Sequence, residues 1–544
     1  MRFVGLLGIL VLLGIAYLMS NNRRRIQPRI VIWGVLLQLL FAAIILGSPG
    51  LSFAAMGIFL LLLLGYVFKD DLRVSQSGGV RYLSAGMILL GTAVSLLLFY
   101  GIAQLGFLGW LWFGIVAALI LLAVFKKARY QRFLSAGILV AGFTWLVHHR
   151  YTGEKVFAFL SGKVERFLKL SDYGAEFLFG NLALSKYFFP DTGSWPGFGY
   201  QFAFSVLPVI IFFACFMSIL YHMGVMQAVV KVMARFMQWT MGTSGAETLS
   251  CSANIFVGQT EAPFLVRPFL DKMTMSELLT IMVGGFATIA GGVLAGYIRM
   301  GISAGHLIAA SVMSAPAALV VAKIIYPETE HSQTAGDVEV PEGTVKHSNL
   351  LDAASHGVTD GLKLAANVGA MLIAFIAVIG LIDSLLSIGD RLIDGKLLHG
   401  SYQQYAVVSN MSPIHGEYQG FFPGSLKTLF GTILRPLAWV MGVSWKYAGE
   451  VGNLLGVKLT LTEFVAYGNL AELIRLDALS EKAAVISTYA LCGFANFASI
   501  GIQLGGIGAL APKRRSDLSK VAMKAMFGGA IASWMTATIA GMLL

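Results

Sequence analysis

Long runs of apolar residues dominate the chain and predict membrane-spanning helices. Four of the early runs lie at residues 29–46, 51–68, 86–103 and 108–125, and they contain almost no charged residues. Each approaches the roughly 20 apolar residues that a helix needs to cross the hydrocarbon core of a bilayer. Because such runs recur along the chain, the pattern predicts an all-α polytopic membrane protein.

The composition and the distribution of charge agree with that class. Hydrophobic residues make up 57% of the 544 residues, charged residues make up 12%, and the mean hydropathy is +0.76, which lies far from soluble averages. The formal net charge is +11, but Lys and Arg cluster at the ends of apolar runs, as in residues 23–25, 69–81 and 126–132. Basic residues mark the cytoplasmic side of membrane proteins. We therefore attribute the charge to orientation in lipid, expect no nucleic-acid partner, and expect both termini outside.

The pattern changes near residue 150, which indicates a division of the chain. Residues 1–150 predict plain hydrophobic helices with almost no intramembrane charge, as in accessory structure. The first of these helices is expected to stay uncleaved because its basic cluster follows the apolar run. Residues 151–200 begin with an amphipathic stretch that predicts an interfacial helix, followed by a linker. Residues 201–544 carry the polar motifs and are predicted to form the core.

Several features carry no recognisable chemistry. Residues 327–349 and 394–423 are hydrophilic and predict exposed loops without a motif. The cysteines lie in apolar segments, so neither a disulfide framework nor a CxxC metal site is expected at Cys215, Cys251 and Cys492. Histidines without metal-ligand spacing are His222, His306 and His356. We expect no cofactor and no enzyme activity.

Two interrupted apolar segments stand out from the plain helices. The first, residues 242–269, combines glycine and proline with the polar residues Asn254, Gln259, Thr260 and Glu261. Backbone polar groups at membrane depth must be satisfied within the protein, so this stretch predicts a re-entrant helical hairpin that turns near residues 257 and 258. The second, residues 483–512, is glycine-rich and predicts another such hairpin. Two interrupted segments in corresponding halves of a chain indicate the central site of a transporter.

An intramembrane carboxylate and the distribution of basic residues indicate the solute. Glu463 lies in an otherwise apolar helix, where burial costs at least ~2.5 kcal/mol unless the charge is paired. No Lys or Arg occurs at residues 245–266, 459–474 or 483–512, so phosphates and organic anions are disfavoured. An uncharged solute rich in hydroxyl and N–H groups remains, because one carboxylate can accept from both hydroxyls of a diol. A structural salt bridge or hydrogen bond is the alternative role of Glu463.

Several motifs around these polar residues are long and chemically unusual. They include GQTEAP at residues 258–263, EFVAY at residues 463–467 and CGFANFASIGI at residues 492–502. Together with the sequence around them, they resemble the concentrative nucleoside transporters, the family of sodium-coupled or proton-coupled nucleoside symporters. The resemblance extends from about residue 150 to the end of the chain. It implies that residues 51–150 are extra helices relative to short family members.

The resemblance also implies a role for each polar position. The nucleobase would be contacted by Gln259, Thr260, Glu261, Val293 and Phe494. The ribose would be held by Glu463, Asn496 and Ser499. Sodium would be bound by Asn254 and by oxygens at Val257, Thr288 and Ile289. Thr462 stands where the family's usual motif has Asn, so a direct role of that position is in doubt here.

Each of these positions also has a structural interpretation. Asn254 and Asn496 could cap the half-helices of the hairpins, an interpretation that is compatible with binding. The Thr288 hydroxyl could bond back to its own helix. Phe494 and Val293 could belong to the apolar core, and the sequence does not separate these alternatives.

The resemblance implies a complete transport cycle. A homotrimer in the plasma (inner) membrane of a bacterium would import nucleosides such as uridine or adenosine by elevator-like alternating access. Asn and carbonyl ligands favour sodium as the coupling ion, and proton coupling is the alternative. A re-entrant-loop channel for neutral solutes is a further alternative. An enzyme with paired carboxylates is disfavoured because the sequence contains no nucleophile or HExxH motif.

Overall fold

The computed structural model describes most of the chain, at residues 2–69, 131–184, 201–334, 348–405 and 413–544. Two of the predicted early spans, residues 86–103 and 108–125, lie outside these ranges. Contacts divide the chain into two units, one of residues 1–38 and 161–544 and the other of residues 39–160. The polar motifs all belong to the larger unit.

The part of the chain before residue 300 is helical where the structure describes it. Its α-helices are α1 (Arg2–Leu18), α2 (Pro28–Leu46), α3 (Pro49–Val67), α4 (Gln131–His148), α5 (Gly153–Leu168), α6 (Ser171–Phe179), α7 (Phe202–Ser205), α8 (Leu207–His222), α9 (Val225–Met241), α10 (Gly245–Ala253), α11 (Met275–Ala287) and α12 (Gly291–Arg299). Short 3-10 helices cover Arg23–Arg25, Gly180–Ala183 and Ala262–Lys272.

The remainder is also helical apart from one short hairpin of strands. Its α-helices are α13 (Ala304–Ile325), α14 (Leu350–Asp390), α15 (Leu426–Val440), α16 (Trp445–Thr460), α17 (Glu463–Arg475), α18 (Glu481–Leu491), α19 (Phe497–Leu510) and α20 (Arg515–Leu543). A π-helical turn covers Arg391–Leu397, and a 3-10 turn covers Pro512–Arg514. The strands β1 (Tyr402–Gln404) and β2 (Gly416–Tyr418) pair in antiparallel fashion.

Seven helical stretches among the described residues are long and apolar enough to cross a bilayer. They include two of the predicted early spans, which form α2 and α3. The prediction of an all-α polytopic membrane protein is therefore confirmed. The predicted amphipathic stretch forms helix α5, and its last residue, Leu168, packs against Val209 and Ala295.

Helix α20 is central to the larger unit, where it packs against α1, α11, α13 and α18. Small residues let it approach its neighbours closely, as is common in membrane helix packing. A Cβ atom at Gly529 would lie 2.9 Å from the carbonyl carbon of Phe286, at the end of α11. This contact places the end of α11 directly against α20.

The long helix α14 packs against α8 through glycines. A Cβ atom at Gly357 or Gly361 would lie 2.8 Å from the Cα atom of Cys215 or Ile211, respectively. The two backbones therefore approach within a distance that only glycine permits. Much of the rest of α14 is apolar and exposed in the single chain, including Ile373, Leu381 and Leu385.

The smaller unit has its own apolar packing. Leu60 and Leu64 of α3 form a buried cluster with Val140 of α4. Ser52 Oγ donates a hydrogen bond to the carbonyl oxygen of Ile44 at 2.7 Å and accepts the backbone N–H of Gly153 at 2.9 Å. These bonds tie the ends of its helices together.

The predicted exposed loop at residues 327–349 is exposed at residues 329–331 and 333, but the prediction is wrong for Ser332 and Thr334. Ser332 and Thr334 are buried because both hydroxyls donate to the same carboxylate oxygen of Glu277, at 2.6 and 2.5 Å. The carbonyl oxygen of Thr334 also accepts the backbone N–H of Gly245, the first residue of α10, at 2.9 Å. Hydrophilic composition does not reveal that a loop will satisfy buried helix N-termini.

A buried ion pair lies beside this segment. Lys323 Nζ lies 2.7 Å from Glu247 Oε2, and both side chains are almost fully buried. Lys323 also donates to Ser276 Oγ at 2.8 Å. The pair joins the C-terminal end of α13 to the first turn of α10, and so fixes the base of the first interrupted segment.

The predicted exposed loop at residues 394–423 is exposed at many of its described positions, including residues 396–399, 401–404 and 419–421, but the prediction is wrong for Asp394. Asp394 is fully buried, and its carboxylate accepts the backbone N–H of Phe422 at 2.7 Å. Asp390 similarly accepts the backbone N–H of Tyr418 at 2.9 Å. Burial raises the pKa of Tyr405, and its hydrogen bond to Glu417 raises that pKa further. Carboxylates that accept backbone N–H groups thus hold residues 418–422 against the end of α14 and the π-helical turn.

Candidate functional site

The first broken segment consists of α10, residues 254–261 and the 3-10 helix Ala262–Lys272. A capping box formed by Ser244 and Glu247 starts α10. The helix stops at Ala253, and the chain then turns. The Glu261 carboxylate accepts the backbone N–H of Gly258 and closes that turn, so the polar residues of the motif stand at a helix interruption.

The second broken segment consists of α18, residues 492–496 and α19. Gly493 has a φ of +130° at the interruption. A Cβ atom at this position would lie 2.6 Å from the carbonyl oxygen of Phe286. Asn496 then caps α19, because its Oδ1 accepts the backbone N–H of Ser499 at 2.8 Å.

Side chains from neighbouring helices satisfy the carbonyl groups that the second interruption leaves free. Fully buried Lys458 of α16 donates from Nζ to the carbonyl oxygen of Ala490 at 3.0 Å. Ser533 of α20 donates from Oγ to the carbonyl oxygen of Cys492 at 2.5 Å. Interrupted helices persist at membrane depth only where protein supplies such partners. A cation at the C-terminal end of α18 also suits the helix dipole.

A third interruption, at residues 288–290, separates α11 from α12. It lies against the first broken segment, because the backbone N–H of Gly291 donates to the carbonyl oxygen of Phe256 at 3.2 Å. Gly493 of the second broken segment also packs here, because its backbone lies against the carbonyl group of Phe286 at the end of α11. Three helix interruptions therefore meet in one region of the larger unit.

A cavity of about 150 Å³ opens where these interruptions meet α17. Its lining contains every residue that the sequence assigned to nucleobase or ribose, namely Gln259, Thr260, Glu261, Val293, Phe494, Glu463, Asn496 and Ser499. None of the described residues that line it is basic. Thr462 also lines the cavity, and its hydroxyl accepts the backbone N–H of Val465 as the cap of α17.

Glu463 is the acidic centre of this cavity and is 5% exposed. Its Oε1 accepts the hydroxyl of Tyr297 at 3.1 Å, and its Oε2 accepts Asn496 Nδ2 at 2.9 Å. Each carboxylate oxygen has further lone pairs, so both can accept an additional hydroxyl. Asn496 thus caps a helix and contacts Glu463 at the same time, and its role in binding stays a prediction.

Asn254 lies apart from this cavity and is fully buried. Neither its Oδ1 nor its Nδ2 has a hydrogen-bond partner within the part of the chain that the structure describes, so its side chain does not cap α10. Such an amide costs free energy unless something binds it. Of the other residues assigned to sodium, Val257 faces a neighbouring cavity, whereas Thr288 and Ile289 are buried at the third interruption. The Thr288 hydroxyl donates to the carbonyl oxygen of Gly284 at 2.9 Å, which leaves its own lone pairs available.

A second cavity, of about 540 Å³, adjoins the first. The two share Gly258, Glu261, Ala290 and Leu364. The second cavity continues between α8 and the beginning of α14, where Tyr221 and Asp360 line it. Glu261 thus lines both cavities.

Three residues near the site were missed by sequence reasoning. Tyr297 bonds to Glu463, Lys458 supports the second interruption, and Gln503 bonds to Gln259. Lys458 carried a usable signal, since an ionisable residue inside an apolar helix is a candidate functional position. Tyr297 and Gln503 carried no usable sequence signal, because a single polar group on an apolar helix is common.

We predict that Gly493→Ala destabilises the protein and abolishes solute uptake. The substitution demands a φ that side chains rarely adopt, at a cost of about 1–3 kcal/mol, and it drives a methyl group into the backbone of α11. The midpoint of thermal unfolding of purified protein measures the effect. Gly505→Ala in α19 is the matched control, because nothing lies within 4 Å of its added Cβ. An unfolding midpoint for Gly493→Ala as high as that of the control would contradict the packing at this interruption.

Two interrupted helices that surround a polar cavity are typical of secondary transporters, and comparisons with known proteins agree. Residues 306–541 match the family model "Na+ dependent nucleoside transporter C-terminus". Residues 203–304 match "Nucleoside recognition", and residues 7–58 match "Na+ dependent nucleoside transporter N-terminus".

Relatives and a solved structure support the same assignment. An uncharacterized transporter of Haemophilus influenzae is 40% identical over 435 residues, which cover 79% of this chain and 95% of that protein. Sodium/nucleoside cotransporter 1 of Rattus norvegicus is 41% identical over 401 residues, which cover 71% of this chain. The aligned region spans 56% of the length of the rat protein. The structure of CNTnw in an inward-facing substrate-bound state has a TM-score of 0.71 and 32% identity, and the match covers 100% of this chain and 98% of that one.

The chain therefore belongs to the concentrative, Na+-dependent nucleoside transporter family. This confirms the resemblance seen in the sequence motifs.

Proposed function

We propose that this protein is a sodium-coupled symporter that imports nucleosides by alternating access. The observation that carries the proposal is the single cavity in which both broken segments and the Glu463 helix present their polar residues. The membership of the family supports sodium as the coupling ion. Neither observation requires a bound cofactor.

The chemistry of the cavity favours an uncharged sugar-linked base. The Glu463 carboxylate, with Asn496 and Ser499 beside it, offers acceptors and donors to a ribose diol. Gln259 and Thr260 offer an amide and a hydroxyl to a base edge, and Phe494 offers an apolar face. The absence of basic residues from the described lining disfavours phosphorylated solutes.

The sodium site is proposed at Asn254 and the third interruption. The unpartnered Asn254 amide supplies an oxygen, and the lone pairs of Thr288 and backbone oxygens near Val257 and Ile289 supply others. Oxygen donors suit a hard cation. One co-transported charge contributes about 2.3 kcal/mol per 100 mV, enough for about 50-fold accumulation of a neutral solute.

The remaining parts of the proposal concern movement, assembly and location. We place the broken segments and α17 in one moving body that travels against a scaffold, within a homotrimer in a bacterial inner membrane, with both termini outside. The exposed apolar residues of α14 support contact with lipid or with a partner subunit. The solute is released chemically unchanged, so the protein acts as a transporter and not as an enzyme.

Uptake into proteoliposomes tests this function. Radiolabelled uridine and adenosine are supplied under an inward sodium gradient, an inward pH gradient at equal sodium, or neither. We expect saturable accumulation above equilibrium only with the sodium gradient, and recovery of intact nucleoside. Accumulation with the pH gradient alone would favour proton coupling, and equal non-saturable entry in all three conditions would contradict symport.

A further inference from the structure

Gln503 of α19 is a buried amide that joins the two broken segments. It is fully buried, and it lies 244 residues from Gln259 along the chain. Its Nε2 donates to Gln259 Oε1 at 3.0 Å and to the carbonyl oxygen of Met282 at 3.1 Å. The bridge therefore connects α19, the first broken segment and α11.

Glycines make room for this bridge. A Cβ atom at Gly285 would lie 2.7 Å from Gln503 Nε2 and 2.9 Å from Gln259 Cβ. A Cβ atom at Gly506 would lie 2.6 Å from Thr260 Cγ2. The tip of the first broken segment thus rests directly on α11 and α19.

The carbonyl oxygen of Met282 fixes the orientation of both amides. A glutamine can be turned so that its oxygen and nitrogen exchange places, and only the hydrogen-bond network decides between the two orientations. A backbone carbonyl accepts but cannot donate, so the Gln503 atom beside Met282 must be the nitrogen. The same nitrogen faces Gln259, and therefore the Gln259 atom that meets it must be the oxygen.

This arrangement leaves the NH2 group of Gln259 available to the cavity. Gln259 lines the cavity, its oxygen is engaged by Gln503, and its Nε2 has no hydrogen-bond partner among the residues that the structure describes. The side chain therefore turns its oxygen towards Gln503 and leaves its NH2 donors for a base edge. A base that presents an amino group at this point would place two donors against each other.

We propose that Gln503 determines base selectivity by holding the Gln259 amide with its NH2 group in the cavity. The inference rests on the proposed function and narrows its substrate class. The site selects nucleosides whose base carries an acceptor opposite Gln259, namely 4-oxo over 4-amino pyrimidines and 6-oxo over 6-amino purines. Gln503 acts through Gln259 and is a positioning residue.

The test compares matched pairs of nucleosides in purified, reconstituted protein. Uridine is compared with cytidine, and inosine with adenosine, as ratios of kcat/KM for sodium-driven uptake. The wild type should prefer the oxo member of each pair by about threefold to tenfold, the size of one hydrogen bond. A general packing defect would lower all four values together and leave both ratios unchanged.

Two substitutions at Gln503 should change the ratios in different ways. Gln503→Met removes both amide contacts, frees the Gln259 amide to rotate, and should bring both ratios close to one. In Gln503→Glu, a protonated carboxyl group would donate to the carbonyl oxygen of Met282 and accept from Gln259 Nε2. Gln259 should then turn its oxygen to the cavity, which would reverse the preference for the oxo nucleoside of each pair. Ile507→Leu, one turn along α19, should keep the wild-type ratios.

Either substitution can overturn the inference. If either Gln503→Met or Gln503→Glu retains the wild-type ratios, or if the wild type shows no preference, Gln503 does not set selectivity. Where a variant transports too slowly, the same four nucleosides are titrated into the purified variant and the ratios of Kd are used. A wild type that neither binds nor takes up any nucleoside would refute the proposed function itself, which is a separate result.

Discussion

Glu463→Gln is expected to lower kcat/KM for uridine uptake by about 10- to 100-fold, the value of a hydrogen bond to a charged group. The carboxylate accepts Tyr297 at one oxygen and Asn496 at the other. An amide has only one oxygen, so its NH2 group would face one of these donors. The substitution therefore both weakens the contact with the ribose diol and disturbs the residues that hold it. The measurement is initial uptake into proteoliposomes under a sodium gradient.

A second glutamate on the same helix provides the control. Glu472 lines a different cavity, together with Asn453 and Lys427, and none of the residues assigned to solute lines that cavity. Glu472→Gln makes the same chemical change and should leave uptake close to the wild-type value. Comparable losses in both variants would mean that any loss of charge from α17 impairs the protein. Uptake by Glu463→Gln at the wild-type rate would remove Glu463 from the ribose site.

Asn254→Leu is expected to abolish sodium dependence while it leaves the sodium-free protein folded. Residues that merely support a metal ligand typically contribute about 10- to 100-fold to affinity, so loss of a direct ligand should raise the apparent Kd for sodium at least as much. The Asn254 amide is buried, and no described residue forms a hydrogen bond with it. Replacing it with an apolar side chain of similar shape therefore removes an unfavourable burial rather than a structural bond.

Thermal unfolding in detergent separates these two effects. Sodium should raise the Tm of the wild type and should not change the Tm of Asn254→Leu, whereas potassium should change neither. In the absence of sodium, the variant should unfold no earlier than the wild type. Asn453→Leu, which replaces another buried amide of the larger unit, should keep the sodium-dependent increase. An increase of the same size in Asn254→Leu would place the ion elsewhere.

The fold class and the contents of the cavity could be predicted because each follows from a local rule. Apolar length determines the spans, and glycine beside polar residues at membrane depth indicates the two helix interruptions. Glu261 and Glu463, which the family motifs assigned to the nucleobase and the ribose, line one cavity. The role of each lining residue stays a prediction that rests on the family motifs.

The parts that could not be predicted depend on contacts between distant segments. Ser332 and Thr334 belong to a hydrophilic stretch, yet both are buried, with their hydroxyls donating to the Glu277 carboxylate. Lys458 immediately precedes residues 459–474, a stretch without basic residues. Its Nζ donates to the carbonyl oxygen of Ala490, which lies 32 residues away along the chain. The orientation of Gln259 depends on Gln503 and on a backbone carbonyl of α11. No periodicity along the chain encodes such pairings.

Calorimetric titration of uridine into the purified protein, in sodium and in potassium at equal ionic strength, tests the central claim most directly. The account predicts that sodium lowers the Kd for uridine, and that uridine lowers the Kd for sodium by the same factor, because coupling between two binding sites is reciprocal. An absence of uridine binding, or a Kd that is equal in sodium and potassium, would contradict a cavity for an uncharged nucleoside that is coupled to a cation at Asn254.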